Sequence, residues 1–110
     1  MPRVELVVPA DAAYVGLVRL VVSATASSAL GEVDDLLVAV SEACTLAVRG
    51  GGESMTVACD VDASAVTVFV DGVRPAGDVG EIDPYQLMRA LVDEVSTGDG
   101  TVRLVQRCVA

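Results

Sequence analysis

The chain has 110 residues, 53% of them apolar, and a formal net charge of -9, so a single domain spanning 1–110 with a modest core of its own is expected. All seven basic residues are Arg, and Lys, His and Asn are absent. That excludes a Ser-His-Asp triad, a Cys-His dyad, a Schiff-base lysine and any imidazole metal ligand. The acidic balance argues against nucleic acid, whose affinity comes largely from phosphate neutralisation, and against an anionic membrane surface. It is compatible with a basic protein partner. Aromatic residues are only 3%, so the core must be built from Val, Leu and Ala.

The opening "RVELVV" alternates, with Val4, Leu6 and Val8 on one side and Arg3, Glu5 and Val7 on the other. It predicts a strand with one drier face. Asp11 is a good N-cap, and the following stretch reads as a helix to about Leu30, stopped by Gly31. That helix is apolar almost all round and has Arg19 as its only charge. One packing face cannot use so much apolar surface, so a second contact near Tyr14 to Val22 is expected. A homodimer or a heterodimer with a related protein would supply it. A membrane span over residues 12–30 is a weaker alternative, since Arg19 and several hydroxyl residues interrupt it. The N-terminus does not read as a signal peptide.

A second helix is predicted over residues 32–49, with Val33, Leu36, Leu37, Val40, Ala43, Cys44 and Ala47 at helical spacing and acids in its first turn. Gly50 to Gly52 end it, as a C-cap and link rather than a phosphate loop. "SMTVACDVD" and "AVTVFVDG" alternate as two strands joined by the short polar "DAS". A long loop over 72–84 leads to a third helix over 84–95, then "STGDG" as a turn and "TVRLVQRCVA" as the last strand. The predicted order is β-α-α-β-β-α-β. Half-wet strands imply a mostly antiparallel sheet with helices on one face, an α+β two-layer sandwich. Cys44, Cys59 and Cys108 lack metal or redox spacing, sit in apolar stretches and read as buried free thiols of a reducing cytoplasm.

Three stretches, "LVVPADAAYVGLVRLVVS", "DDLLVAVSEACTLAVR" and "LMRALVDEVS" followed by "TVRLVQR", resemble the bacterial anti-sigma-factor serine kinases of the RsbW and SpoIIAB type. These lie within the histidine-kinase-like (GHKL) ATPase superfamily. The use of Arg for Lys, with abundant Val and Ala, is similar to that of high-GC actinobacterial proteins. The resemblance implies a helix on which a Glu polarises the attacking group and an Asn, four residues on, holds magnesium. Here Glu42 matches the Glu, but Leu46 stands at the Asn position and offers no oxygen to a hard cation. The family's Asp-x-Gly-x-Gly motif, whose Asp reads adenine, matches at Asp71, with Val73 and Pro75 at its glycines. The later glycine turn that wraps phosphate is matched by Ile82 and Pro84, and proline has no N–H to give.

The resemblance therefore implies a degenerate nucleotide site at Glu42, Leu46 and Asp71, with no cofactor and no metal. The expected function is non-catalytic: binding of a sigma factor or of an anti-anti-sigma (STAS) protein. An active kinase using ATP and magnesium is the alternative. Glu42 also reads as an ordinary solvated helix residue, and Asp71-Gly72 as a simple strand-ending turn. Leu46 reads as core or as part of a new apolar contact, and Tyr85 as filling the vacated pocket.

Overall fold

The computed structural model describes residues 3–73 and 83–108. Strand β1 (Arg3–Pro9) leads through a single 3-10 turn (Ala12–Tyr14) into helix α1 (Val15–Leu30), and α2 (Asp34–Arg49) follows. Then come β2 (Ser54–Val61), β3 (Ala65–Asp71), α3 (Pro84–Leu91), β4 (Glu94–Gly98) and β5 (Thr101–Arg107). The five strands form one antiparallel sheet in the order β1-β2-β3-β5-β4. The helices cover one of its faces, which gives the expected α+β two-layer sandwich.

Alternation decides which face each strand residue serves. Met55, Val57 and Cys59 of β2, Val66, Val68 and Val70 of β3, and Val102 and Leu104 of β5 are buried towards the helices. α2 is the central helix and touches α1, α3 and three strands. Its Ala39, Ala43 and Ala47 are wholly buried, and their small side chains let the helix backbone lie close to its neighbours. Leu36, Met55, Met88 and Leu104 are the largest buried side chains. Each stabilises the fold by roughly 1.5–3 kcal/mol relative to its exposed state.

Asp11 caps as expected, but it caps the 3-10 turn, accepting from the Ala13 N–H at 2.9 Å. α1 stops at Gly31, whose φ of 72° suits glycine. The stretch Ala12–Leu30 is long and apolar enough to cross a membrane by length and composition, with mean hydropathy 1.5. In this fold Val18, Val22 and Ala26 pack it into the core instead. α2 begins two residues later than predicted, with Val33 as its N-cap residue. In the "DAS" hairpin the Asp62 carboxylate accepts from the N–H groups of Ser64 and Ala65.

The third helix differs from the sequence expectation. It ends at Leu91, and Val95 belongs to an additional edge strand, β4. The cause is the Asp99-Gly100 turn, with φ of 52° and 80°, which joins β4 and β5 through two residues of the left-handed kind favoured in tight hairpins. Once the chain reverses there, the ladder claims residues 94–98. Most of the predicted loop over 72–84 lies outside the described residues.

Candidate functional site

Glu42 and Leu46 share one side of α2 by their i, i+4 spacing. Glu42 is half-buried, whereas Leu46 is 3% exposed and part of the hydrophobic core. A magnesium ion at this position would meet a methyl-capped side chain and no lone pair. The hydroxyls of the same helix are turned inward on its backbone. Ser41 donates to the Leu37 carbonyl at 2.9 Å and Thr45 to the Ser41 carbonyl at 2.8 Å.

Asp71 is elsewhere. It ends β3 on the same parity as Thr67 and Phe69, on the sheet face away from the helices, while its neighbour Val70 is buried. Its carboxylate accepts from the Thr101 hydroxyl. It lines a shallow groove of about 270 Å³ with Arg3, Glu5, Thr56, Ala58, Phe69 and Thr101. Arg3 lies 5.7 Å from the Phe69 ring centre in the same groove. The structure thus brings Glu42 and Leu46 together and leaves Asp71 across the sheet from them, which separates the three residues grouped by motif.

The backbone after Asp71 is committed to structure. The N–H groups of Gly72 and Val73 both donate to the Gly100 carbonyl, at 3.1 and 3.0 Å. The Val73 side chain is buried. Gly72 has φ 100°, and a Cβ there would come within 3.0 Å of the Ser54 carbonyl oxygen.

The start of α3 is equally closed. Pro84 occupies its first turn and has no N–H. The Tyr85 N–H donates to the Asp83 carboxylate at 2.9 Å, and the Gln86 and Leu87 N–H groups donate to the Asp83 carbonyl at 3.0 and 3.3 Å. A helix start binds phosphate through free N–H groups and its positive dipole end. Here those donors are absent or taken, and a carboxylate stands in front of them. Sequence matching placed Pro84 here but missed Asp83; the Asp-Pro pair, an N-cap followed by a first-turn proline, was the legible signal.

A cleft of about 350 Å³ opens beside this turn, lined by Val73, Tyr85 and residues 97–101. Tyr85 lies at its wall and also packs on the core. Among the described residues Asp99 is the only charged one lining it, and none of them brings a cationic side chain for phosphate. Pro75 and Ile82 lie outside the described residues. Among the described residues no group of three Cys, Asp or Glu side chains is placed to hold a metal.

The cysteines are free. Cys44 and Cys59 are buried, and burial pushes their thiols up to about 12 and about 11, helped at Cys59 by the charge of Asp60. Cys108 is half-buried.

A stretch of 49 residues is similar to bacterial serine-protein kinases. The serine-protein kinase RsbW of Bacillus subtilis (strain 168) is 49% identical over those 49 residues, which are 42% of this chain and 31% of the relative. Its namesakes from Bacillus velezensis and Bacillus pumilus (strain SAFR-032) are each 47% identical over 49 residues, 42% of this chain and 31% and 30% of theirs. The match thus spans under a third of these relatives' length. No family model matches the chain.

Proposed function

We propose that this chain is a non-catalytic, anti-sigma-factor-like regulatory protein of the cytoplasm, which acts by binding a sigma factor or a STAS anti-anti-sigma protein. The kinase likeness supports the family, and one observation carries the non-catalytic part. The first turn of α3 has no backbone N–H left for a phosphate, because Pro84 lacks one and Asp83 takes the others. Leu46 in the core and Asp71 on the far face of the sheet add to it. A protein of this kind keeps its docking surfaces and holds its partner without a phosphorylation switch.

The second reading, an active serine kinase, draws on the likeness over 49 residues to proteins named as serine-protein kinases. Two measurements separate the readings. Calorimetric titration with Mg-ATP and Mg-ADP at millimolar nucleotide gives no saturable heat under the first reading and a micromolar isotherm under the second. Radiolabelled ATP with a STAS protein gives no phosphoserine under the first and stoichiometric transfer under the second.

A further inference from the structure

We infer that the solvent side of α1 and α2 is a docking groove for a basic amphipathic helix of another protein. Of the apolar helix α1 only Val18, Val22 and Ala26 are buried. Beyond the residues that face the core, Tyr14, Leu17 and Leu20 remain 38%, 43% and 66% exposed. With Val21 and Ala24 they form a second apolar stripe at i, i+3, i+6, i+7 and i+10, which extends roughly 15 Å along the helix. Val38 of α2 is 41% exposed, and a groove of about 270 Å³ lined by Gly16, Arg19, Leu20, Ser23 and Leu37 joins the two helices. An exposed apolar surface of this form marks an interface. The stripe borders this depression at Leu20, and a helix laid along α1 would meet both.

Charge selects the occupant. Asp11 precedes the stripe, and Glu32, Asp34 and Asp35 lie beyond the C-terminal end of α1, at the start of α2, all exposed. None of them is in an ion pair among the described residues. Among the described residues Arg19 is the one base on the patch, so the rim they form stays negative. A second copy would set these acids against their own images, in a chain already at -9. A helix with leucine-like anchors and Lys or Arg at both ends meets the apolar centre and the acidic rim together.

This inference rests on the reading of the chain as a partner-binding protein, yet it fails separately, because nucleotide titration does not involve this surface. The test uses the full chain and two synthetic amphipathic helices, one of leucine and lysine and one of leucine and glutamate, read by fluorescence anisotropy. The lysine peptide is expected to bind saturably at one site and the glutamate peptide not at all. Leu20→Asp should weaken binding about tenfold or more although it adds a negative charge. Asp34→Asn with Asp35→Asn should weaken it several-fold, and added salt should do the same. Val7→Asp, on the other face of the sheet, should leave it unchanged. Unchanged circular dichroism of Leu20→Asp guards against misfolding. Equal or tighter binding to Leu20→Asp would reduce the interaction to bulk charge and overturn the inference. So would light scattering that shows a dimer dissociated by Leu20→Asp, or partition of the wild-type chain onto zwitterionic vesicles lost in that variant.

Discussion

The Asp83 carboxylate accepts the Tyr85 N–H at 2.9 Å, across the single residue Pro84. With Pro84 lacking an N–H and the Gln86 and Leu87 N–H groups held by the Asp83 carbonyl, this contact takes the last donor that a phosphate would need at the helix start. Leu46→Asn is therefore expected to leave Mg-ATP binding undetectable by titration calorimetry, since it supplies a metal ligand and no phosphate cradle. The same substitution should destabilise the fold by roughly 2–4 kcal/mol in urea unfolding, through a buried amide and lost packing. Micromolar nucleotide binding by Leu46→Asn alone would show that the α3 turn matters less than argued.

Asp83→Ala removes the cap and should lower stability by about 0.5–2 kcal/mol. The loss should show as a shifted urea midpoint with an unchanged slope. If Asp83 served only to repel anions from an otherwise working site, the variant would instead gain affinity for inorganic phosphate, which the proline at the first turn is expected to prevent.

Gly72→Ala meets two obstacles at once, a φ of 100° and a carbonyl oxygen 3.0 Å from the new Cβ. A cost of about 1–3 kcal/mol is expected. Gly16→Ala, in open space within α1, should be neutral or slightly stabilising. Equal unfolding midpoints for the two variants would contradict the close approach at Gly72.

Burial raises both buried thiols from 9.0, to about 12 at Cys44 and about 11 at Cys59. Below pH 9 both states keep the thiols protonated and nothing is lost. Between about pH 9 and 11 the unfolded chain ionises while the folded one does not. Stability should then fall as pH rises, approaching about 1.4 kcal/mol per pH unit for each thiol. Urea unfolding at several pH values checks this, with Cys44→Ala and Cys59→Ala each expected to flatten the slope. Native labelling by a thiol reagent should be slow at both positions and fast in denaturant.

The sequence carried most of this fold because its strands alternate and its helices are stopped by glycine. Alternation counted from Val66 already puts Asp71 on the face of Thr67 and Phe69. The grouping of Asp71 with Glu42 rests on the motif match alone, which carries no information about which face of the sheet a residue takes. β4 was legible in the Asp99-Gly100 pair, a strong hairpin signal, but the helical look of Leu87, Leu91 and Val95 competed with it. Ala58 could not be read at all. It lies on the outer face, yet it is only 4% exposed, because Glu5 and Phe69 flank it in register. Such burial is set by cross-strand neighbours, which no local pattern contains.

The order β1-β2-β3-β5-β4 has a kinetic side. Two pairs, β2 with β3 and β4 with β5, close through turns of two or three residues and can form early. β1 reaches β2 only after both α1 and α2 have been traversed, a loop closure with a larger entropic cost. It also pairs on one side alone. Hydrogen exchange should therefore find the β1 amides among the least protected of the sheet, with β3 and β5 the most protected. The strand at the head of the sequence is, on this account, the last to join the folded molecule and the first to leave it.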